Sequence, residues 1–273
     1  MLPTDPQNSP ESGNLWPLIR GLTTLYEVII NLPGRVSFPG KAARILFVGH
    51  TGVGKTEIVN TVLGAQFPED ALFDKSKSTI EAATARARYR KKIKIEFTDT
   101  PGHETFQQEL KEELVKIPDG EFVGIVNVVC YGYNEPKSQN LRKKIPQFTS
   151  PGMVNPDFTQ AYREDEIGFL LPWLTVAGLE KKHIKWVITA VNKADLWYEN
   201  QEKVERYYSN DPRYGGRIRN VFGDKYEVLK VSATDRGLFF DQHVDKSFVE
   251  KQILDGLNEN FINRIIALSK NAK

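Results

Sequence analysis

The sequence predicts a layered α/β domain, and three observations carry that prediction. A glycine-rich loop sits between a strand-like run and a helix-like run, six short apolar or alternating runs are spread along the chain, and helical periodicity falls between and after them. With 273 residues, 40% of them hydrophobic, the chain has room for one elaborated domain or two, and disordered and membrane-spanning classes fit poorly. Lys+Arg 37 against Asp+Glu 35 leaves a formal charge of +2, so a globally basic nucleic-acid binder is excluded and any basicity that matters is local. The single cysteine, Cys130, rules out an internal disulfide and a multi-cysteine metal site, which suits a reducing, cytoplasmic setting. No run approaches the roughly 18 apolar residues of a spanning helix, and the first residues are not signal-like.

Residues 1–13 read as a flexible tail. In residues 14–40, Leu15, Leu18, Ile19, Leu22, Leu25, Tyr26 and Ile29 recur at helical spacing before Pro33 and Gly34, predicting an amphipathic N-terminal helix outside the main domain. Its apolar face could pack on the domain, on a partner or second copy, or on a membrane, although few basic residues flank it for the last of these. Residues 41–273 form the main domain. Arg44–Val48 is a buried-strand run, and Gly49-His50-Thr51-Gly52-Val53-Gly54-Lys55-Thr56 follows it directly, with a helix from Glu57 to Leu63. That order suits phosphate: glycines let successive backbone N–H groups close around phosphate oxygens, and the helix N-terminus adds favourable partial charge. Lys55 would reach the β- and γ-phosphates and the Thr56 hydroxyl would bind magnesium.

Ala82–Arg90 and Ile93–Asp99 alternate with strand period, and the second ends on Asp99-Thr100-Pro101-Gly102-His103. Asp99 stands where a magnesium-organising carboxylate belongs, and the Gly102 N–H where it would meet the γ-phosphate. Arg86, Arg88 and Arg90 alternate along one face of the first of these strands. As an edge strand it would use them against sheet-to-sheet pairing; contacts with RNA or an acidic protein, or with an acidic membrane surface, are the other readings. Phe122–Cys130 is a fourth strand. Residues 131–165 form an insertion whose prolines predict a protruding loop, followed by a helix from Glu164 to Lys181. Ile184–Val191 leads into Asn192-Lys193-Ala194-Asp195, and Tyr226–Val231 into Ser232-Ala233-Thr234. Asp195 can accept from both the ring N–H and the exocyclic amine of guanine, a donor pair adenine lacks. A second insertion, 210–224, carries Arg213, Tyr214, Arg217 and Arg219 and reads as a plain surface loop, with a contact to a partner or nucleotide as the other reading. A closing helix from Ser247 to Ser269 turns Phe248, Ile253, Leu257, Phe261, Ile262, Ile265 and Ile266 toward the core.

GHTGVGKT, DTPGH, NKAD and SAT in this order, each after a strand-like run, resemble the P-loop GTPases of the translation-factor-related class, which include Era-like and Ras-like proteins. The likeness runs from about Ala43 to the C-terminus, interrupted by the two insertions. It implies a three-layer fold with a six-stranded, mostly parallel sheet, helices on both faces and the nucleotide at the C-terminal strand ends. It also implies GTP or GDP as ligand, Mg2+ held by Thr56, Asp99 and a switch threonine, and hydrolysis of GTP to GDP in a nucleotide-dependent switch. The nucleotide-binding set is then Gly49, His50, Thr51, Gly52, Val53, Gly54, Lys55, Thr56, Gly102, Asn192, Lys193, Asp195, Ser232, Ala233 and Thr234, with Lys55, Thr79 and His103 as the catalytic residues. Thr79 resembles the switch threonine, with Ser78 and Thr84 as alternatives. His103 stands where the family orients the attacking water, or else it caps the helix that follows. Thr51 replaces the glycine that admits a partner's arginine in Ras-like members, which favours activation by a nucleotide-dependent homodimer or a protein effector. RNA is a less favoured partner, since no RNA-binding segment follows the last helix, and membrane association is not expected. A slowly hydrolysing GTP-dependent scaffold and a ribosome-associated GTPase stand as the alternative uses.

Overall fold

The protein's structure, a computed structural model, describes residues 29–30, 43–66, 83–89, 93–99, 106–118, 121–136, 143–234, 237–244 and 249–270. In chain order its elements are β1 (Ile29–Ile30), β2 (Ala43–Val48), α1 (Lys55–Gln66), β3 (Ala83–Tyr89), β4 (Ile93–Asp99), α2 (Phe106–Val115) and β5 (Val123–Val129). There follow β6 (Phe148–Ser150), β7 (Met153–Val154), α3 (Pro156–Leu179), β8 (Ile184–Val191), α4 (Ala194–Trp197), α5 (Gln201–Asn210), α6 (Gly215–Phe222) and β9 (Tyr226–Lys230). The short pair β10 (Leu238–Phe239) and β11 (Gln242–His243) precedes the last helix, α7 (Lys251–Lys270).

One sheet runs β1-β3-β4-β2-β5-β8-β9. The ladders β4-β2, β2-β5, β5-β8 and β8-β9 are parallel, and β1 and β3 pair antiparallel at one side. The central strands are nearly continuous apolar runs because both faces are covered. On β2, Ile45 and Phe47 join one core with Val126, Val128, Trp186 and Ile188 under α1 and α7. Leu46 and Val48 join the other with Ile125, Val129 and Val187 under α2, α3, α5 and α6. The strand period of two thus builds the two apolar layers of an α/β/α sandwich.

Several expectations are corrected. The sheet has seven strands rather than six: Ile29 and Ile30, assigned above to a helix, pair with Arg86 and Ala85 of β3. Helical spacing and a two-residue edge strand are compatible with the same β-branched residues, and the unpaired side of β3 decides between them. β3 is therefore not the bare edge that its arginines suggested. The rest of the N-terminal segment, residues 1–28 and 31–42, lies outside the described residues.

The segment expected to protrude after β5 instead folds inward: Tyr131, Gly132, Asn134 and Pro136 are buried. Helix α3 starts eight residues earlier than predicted, with Asn155 as N-cap accepting from Asp157 N at 3.0 Å and Pro156 as the first helical residue, and it runs through Pro172. Residues 210–224 are not a surface loop throughout. Asp211 Oδ1 accepts from Arg213 N at 2.8 Å, the chain turns into α6, and Tyr214, Ile218 and Phe222 pack in the core. On α7 the core stripe is Leu254, Phe261, Ile262, Ile265 and Ile266, while Ile253 is 37% exposed.

Candidate nucleotide site

The parallel strands β2, β5, β8 and β9 end on the same edge of the sheet, and that edge gathers the sequence motifs. From β2 the chain passes through residues 49–54 into α1, and Ile58 N donates to Gly54 O at 3.0 Å as one of the first helical bonds. Gly54 has φ +88°, and a Cβ there would lie 2.4 Å from the Asn192 Nδ2 atom. Gly52 has φ +82°, and its Cβ would meet the backbone of Glu135 and Pro136 at 2.6 Å. Only glycine allows both the backbone shape and these close approaches.

Three consecutive carbonyls of this loop are held from outside. Thr51 O accepts from Asn134 Nδ2 at 3.1 Å, Gly52 O from Glu135 N at 3.0 Å, and Val53 O from Asn192 Nδ2 at 2.9 Å. In a trans peptide the N–H lies opposite the C=O, so holding these carbonyls outward aims the N–H groups of Gly52, Val53 and Gly54 to the other side. That is the arrangement of a phosphate cradle. Lys55 is buried, and its Nζ donates to Gly49 O at 2.9 Å and His50 O at 3.3 Å, which keeps the ammonium at the loop. His50 packs edge-on against Tyr162 and Phe169 of α3. Burial lowers its pKa, opposed by the bond to Thr51 O and by Asp165.

Thr56 is the second residue of α1, and Asp99 is the last of β4, in register with Phe47 just ahead of the loop. A hydroxyl and a carboxylate at one sheet edge are hard oxygen ligands. With phosphate oxygens they suit Mg2+, which keeps few protein ligands, so the residues present fit that ion. Thr79, Ser78, Gly102 and His103 lie outside the described residues. Thr84 falls in the β3–β4 ladder opposite Thr98.

Asn192 joins the two halves of the edge: its Nδ2 reaches Val53 O and its Oδ1 accepts from Ala233 N at 3.1 Å. Lys193 is left-handed, φ +59°, and its Nζ donates to Tyr133 O at 2.7 Å and pairs with Glu135. Asp195 is 2% exposed. Its Oδ1 accepts from Ser232 Oγ at 2.8 Å and its Oδ2 from Gly237 N at 3.1 Å. Burial raises its pKa, and the bonds from Ser232 and Gly237 oppose that rise. Each carboxylate oxygen has two lone pairs, so both can still accept from a base. The Ser232–Thr234 turn is fastened to α7 by Asn258, whose Oδ1 accepts from Ser232 N at 2.9 Å and whose Nδ2 donates to Ser232 O at 2.6 Å.

Residues 44–152 match the 50S ribosome-binding GTPase family. Over that segment the chain is a P-loop GTPase. The family's members hydrolyse GTP, and the loop that residues 49–56 form lies on the same sheet edge as the Asn192–Asp195 and Ser232–Thr234 segments. Among solved structures it is similar to a bacterial selenocysteine-specific elongation factor, EF-Sec, at 19% identity and a TM-score of 0.45, covering 86% of this chain and 30% of that one. It is also similar to the signal recognition particle receptor SRb-GTP/SRX complex from Chaetomium thermophilum, at 14% identity and a TM-score of 0.45, covering 71% and 92%. A GTP-binding protein from Sulfolobus solfataricus in complex with GDP matches at 14% identity and a TM-score of 0.44, covering 85% and 53%. The GTPase spans about a third of the first of these proteins. Among the described residues, no helix is long and apolar enough to cross a membrane.

Asn134, Glu135, Asn258 and Glu166 are the site residues that sequence reasoning missed. For Asn134 and Glu135 the signal is the polar Asn-Glu pair directly after the strand that lies beside β2. For Glu166 it is a lone carboxylate on the apolar face that Tyr162, Leu170 and Trp173 share. Asn258 had no such mark, being one polar residue on an amphipathic helix.

Proposed function

We propose that this GTPase is a magnesium-dependent switch that hydrolyses GTP by in-line attack of water on the γ-phosphate and changes conformation between its GTP and GDP states. The observation that carries this reading is Asn192, which links the phosphate loop to the Ser232–Thr234 turn and keeps both within one cleft. In that cleft the N–H groups of residues 52–54 hold phosphate, and Lys55 exchanges its carbonyl partners for β- and γ-phosphate oxygens. Thr56 and Asp99 would hold Mg2+, which when bound would supply neutralisation of the charge that develops on the phosphate. Asp195 reads guanine, while Lys193 lies along the base. Thr79 and the Asp99–His103 segment sense the γ-phosphate, with His103 orienting the water.

Hydrolysis is tested by following phosphate release from GTP, with and without Mg2+, in the wild type and His103→Ala. The reading expects Mg2+-dependent turnover that falls at least tenfold in the variant with unchanged GTP affinity. Unchanged turnover removes His103 from the chemistry. Light scattering in GDP and in a non-hydrolysable GTP analogue, together with turnover over a protein concentration series, tests use. A dimer confined to the analogue, with specific activity rising with concentration, is expected for self-activation. The family's description points instead to the large ribosomal subunit, and co-sedimentation with ribosomes in each nucleotide state distinguishes that partner.

A further inference from the structure

The strand β5 ends at Val129, and the next backbone N–H groups leave the sheet in a turn with two left-handed residues, Tyr131 at φ +55° and Gly132 at φ +86°. Two of the three N–H groups of this turn converge on one side chain of α3, and the third reaches it through Tyr208. Glu166 Oε1 accepts from Cys130 N at 3.1 Å and Gly132 N at 3.3 Å. Its Oε2 accepts from Tyr208 Oη at 2.6 Å, and the Tyr208 hydroxyl in turn accepts from Tyr131 N at 2.9 Å. Two to three residues beyond the turn, Asn134 and Glu135 hold Thr51 O and Gly52 O, and Glu135 pairs with Lys193 while accepting from Phe240 N at 2.9 Å. One short strap therefore joins the carboxylate to the phosphate loop and to the lysine of the base site.

We propose that Glu166 is a positioning residue for guanine-nucleotide retention, holding the Cys130–Gly132 turn and through it the Asn134–Glu135 strap against the phosphate loop and Lys193. The inference rests on the GTPase reading above and deepens it. Only an ionised carboxylate accepts from all of these donors while carrying none of its own. Replacing it with an apolar side chain would leave the Cys130 and Gly132 N–H groups and the Tyr208 hydroxyl without their acceptor.

The surroundings make this group separately addressable. Glu166 is 2% exposed, and its carboxyl is pushed up to about 7, by burial first, against the bonds from Tyr208, Cys130 and Gly132 and the charge of Arg163. The Arg163 guanidinium lies over the Tyr131 ring, 4.7 Å from its centroid. From β5 and its turn Glu166 is faced by Cys130 and Tyr131, from α5 by Tyr207 and Tyr208, and from the start of α6 by Tyr214. Burial raises the pKa of every one of these five groups, so all remain neutral near pH 7. His50 touches the strap through Asn134, with ring and amide nitrogens 3.4 Å apart, and its own titration is displaced downward. Above pH 7 the carboxylate accepts every bond. Toward pH 6 a proton on Oε2 competes with the Tyr208 hydroxyl, and the bonds from Cys130 N and Gly132 N to the now neutral carboxyl weaken, which loosens the turn.

The test is the dissociation rate of a fluorescent GDP from the full chain between pH 6 and 8, in the wild type, Glu166→Gln and Tyr208→Phe. In the wild type the rate is expected to rise about tenfold on going from pH 8 to pH 6, with its midpoint near 7. Glu166→Gln should dissociate at pH 8 about as fast as the wild type at pH 6, with a flat profile. If that variant does not fold, Tyr208→Phe, which removes a hydrogen bond favouring the ionised form, should move the wild-type midpoint upward. A flat wild-type profile overturns the proposal, and so does a Glu166→Gln profile that keeps the wild-type slope, which would place the titration elsewhere, His50 first. A wild type that holds no GDP at any pH fails the GTPase reading itself, a result distinct from either of these.

Discussion

Asn192→Ala is the sharpest probe of how the site is assembled. The substitution deletes the Nδ2 bond to Val53 O at 2.9 Å and the Oδ1 bond from Ala233 N at 3.1 Å, and it spares the backbone bond to Val129 O. The Asn192 side chain is 2% exposed, so a carbonyl and an N–H are left in a nearly dry place. At about 1–3 kcal/mol for each stranded group, the pair costs about 3 kcal/mol of unfolding free energy once some water enters the space the amide vacates. Urea unfolding without nucleotide should read that loss as a lower midpoint at unchanged slope. GDP affinity should fall by about thirtyfold, equivalent to about 2 kcal/mol, because the N–H of Gly54 is no longer aimed by its peptide plane. Asn192→Asp separates the two contacts, since it keeps an acceptor for Ala233 N and sets an oxygen against Val53 O. It should lose nucleotide affinity at least as strongly as Asn192→Ala. A stability change below about 0.5 kcal/mol in Asn192→Ala, with unaltered GDP affinity, would refute the idea that Asn192 organises the loop.

Three further outcomes follow from the same geometry. Asp195→Asn turns one acceptor into a donor and should shift preference from guanine to xanthine nucleotides by roughly 10³-fold in competition binding; unchanged guanine preference would remove Asp195 from base recognition. Tyr214→Ala empties a fully buried ring position and removes one of the two acceptors of the Asn127 amide, which donates to its hydroxyl at 2.9 Å and keeps Thr189, so urea unfolding should show a loss of about 4 kcal/mol, whereas an exposed surface residue would show almost none. The Glu166 carboxyl binds its proton more tightly folded, about 7, than in the reference state, 4.5, so between those pH values the native state carries the extra proton and this group lowers stability as pH rises. The unfolding free energy of the wild type relative to Glu166→Gln should therefore fall by about 3 kcal/mol from pH 4.5 to 7 and level off above, while His50, present in both proteins, cancels; a difference flat with pH would contradict the assignment.

Acid thus acts in opposite directions on the two properties of Glu166: protonation stabilises the fold and loosens the nucleotide. A residue of purely structural importance would move both the same way.

The strand, loop and helix around Gly49–Thr56 were legible because local chemistry dictates them: an apolar run, glycines where φ is positive, and a helix that follows at once. Asn192, Asp195 and Ser232 were legible for a related reason, since parallel strands end on one edge and short polar segments after them must meet there. Ile29 and Ile30 were misread because their partner, β3, lies more than fifty residues away in sequence and no local pattern distinguishes an edge strand from one turn of helix. Tyr214, Ile218 and Phe222 stand four residues apart and did show a helical stripe, but the charges among them drew attention to a surface role.

The sequence by itself determined the six longer strands, their order and the Gly49–Thr56, Asn192–Asp195 and Ser232–Thr234 segments that follow them, because periodicity and glycine stereochemistry act within a few residues. Tertiary structure alone decided that the segment after β5 folds inward as a strap and that Glu166 holds it. Those contacts join residues 34 and 36 positions apart, and a carboxylate's partners are set by which backbone donors the packed helices leave without any other acceptor.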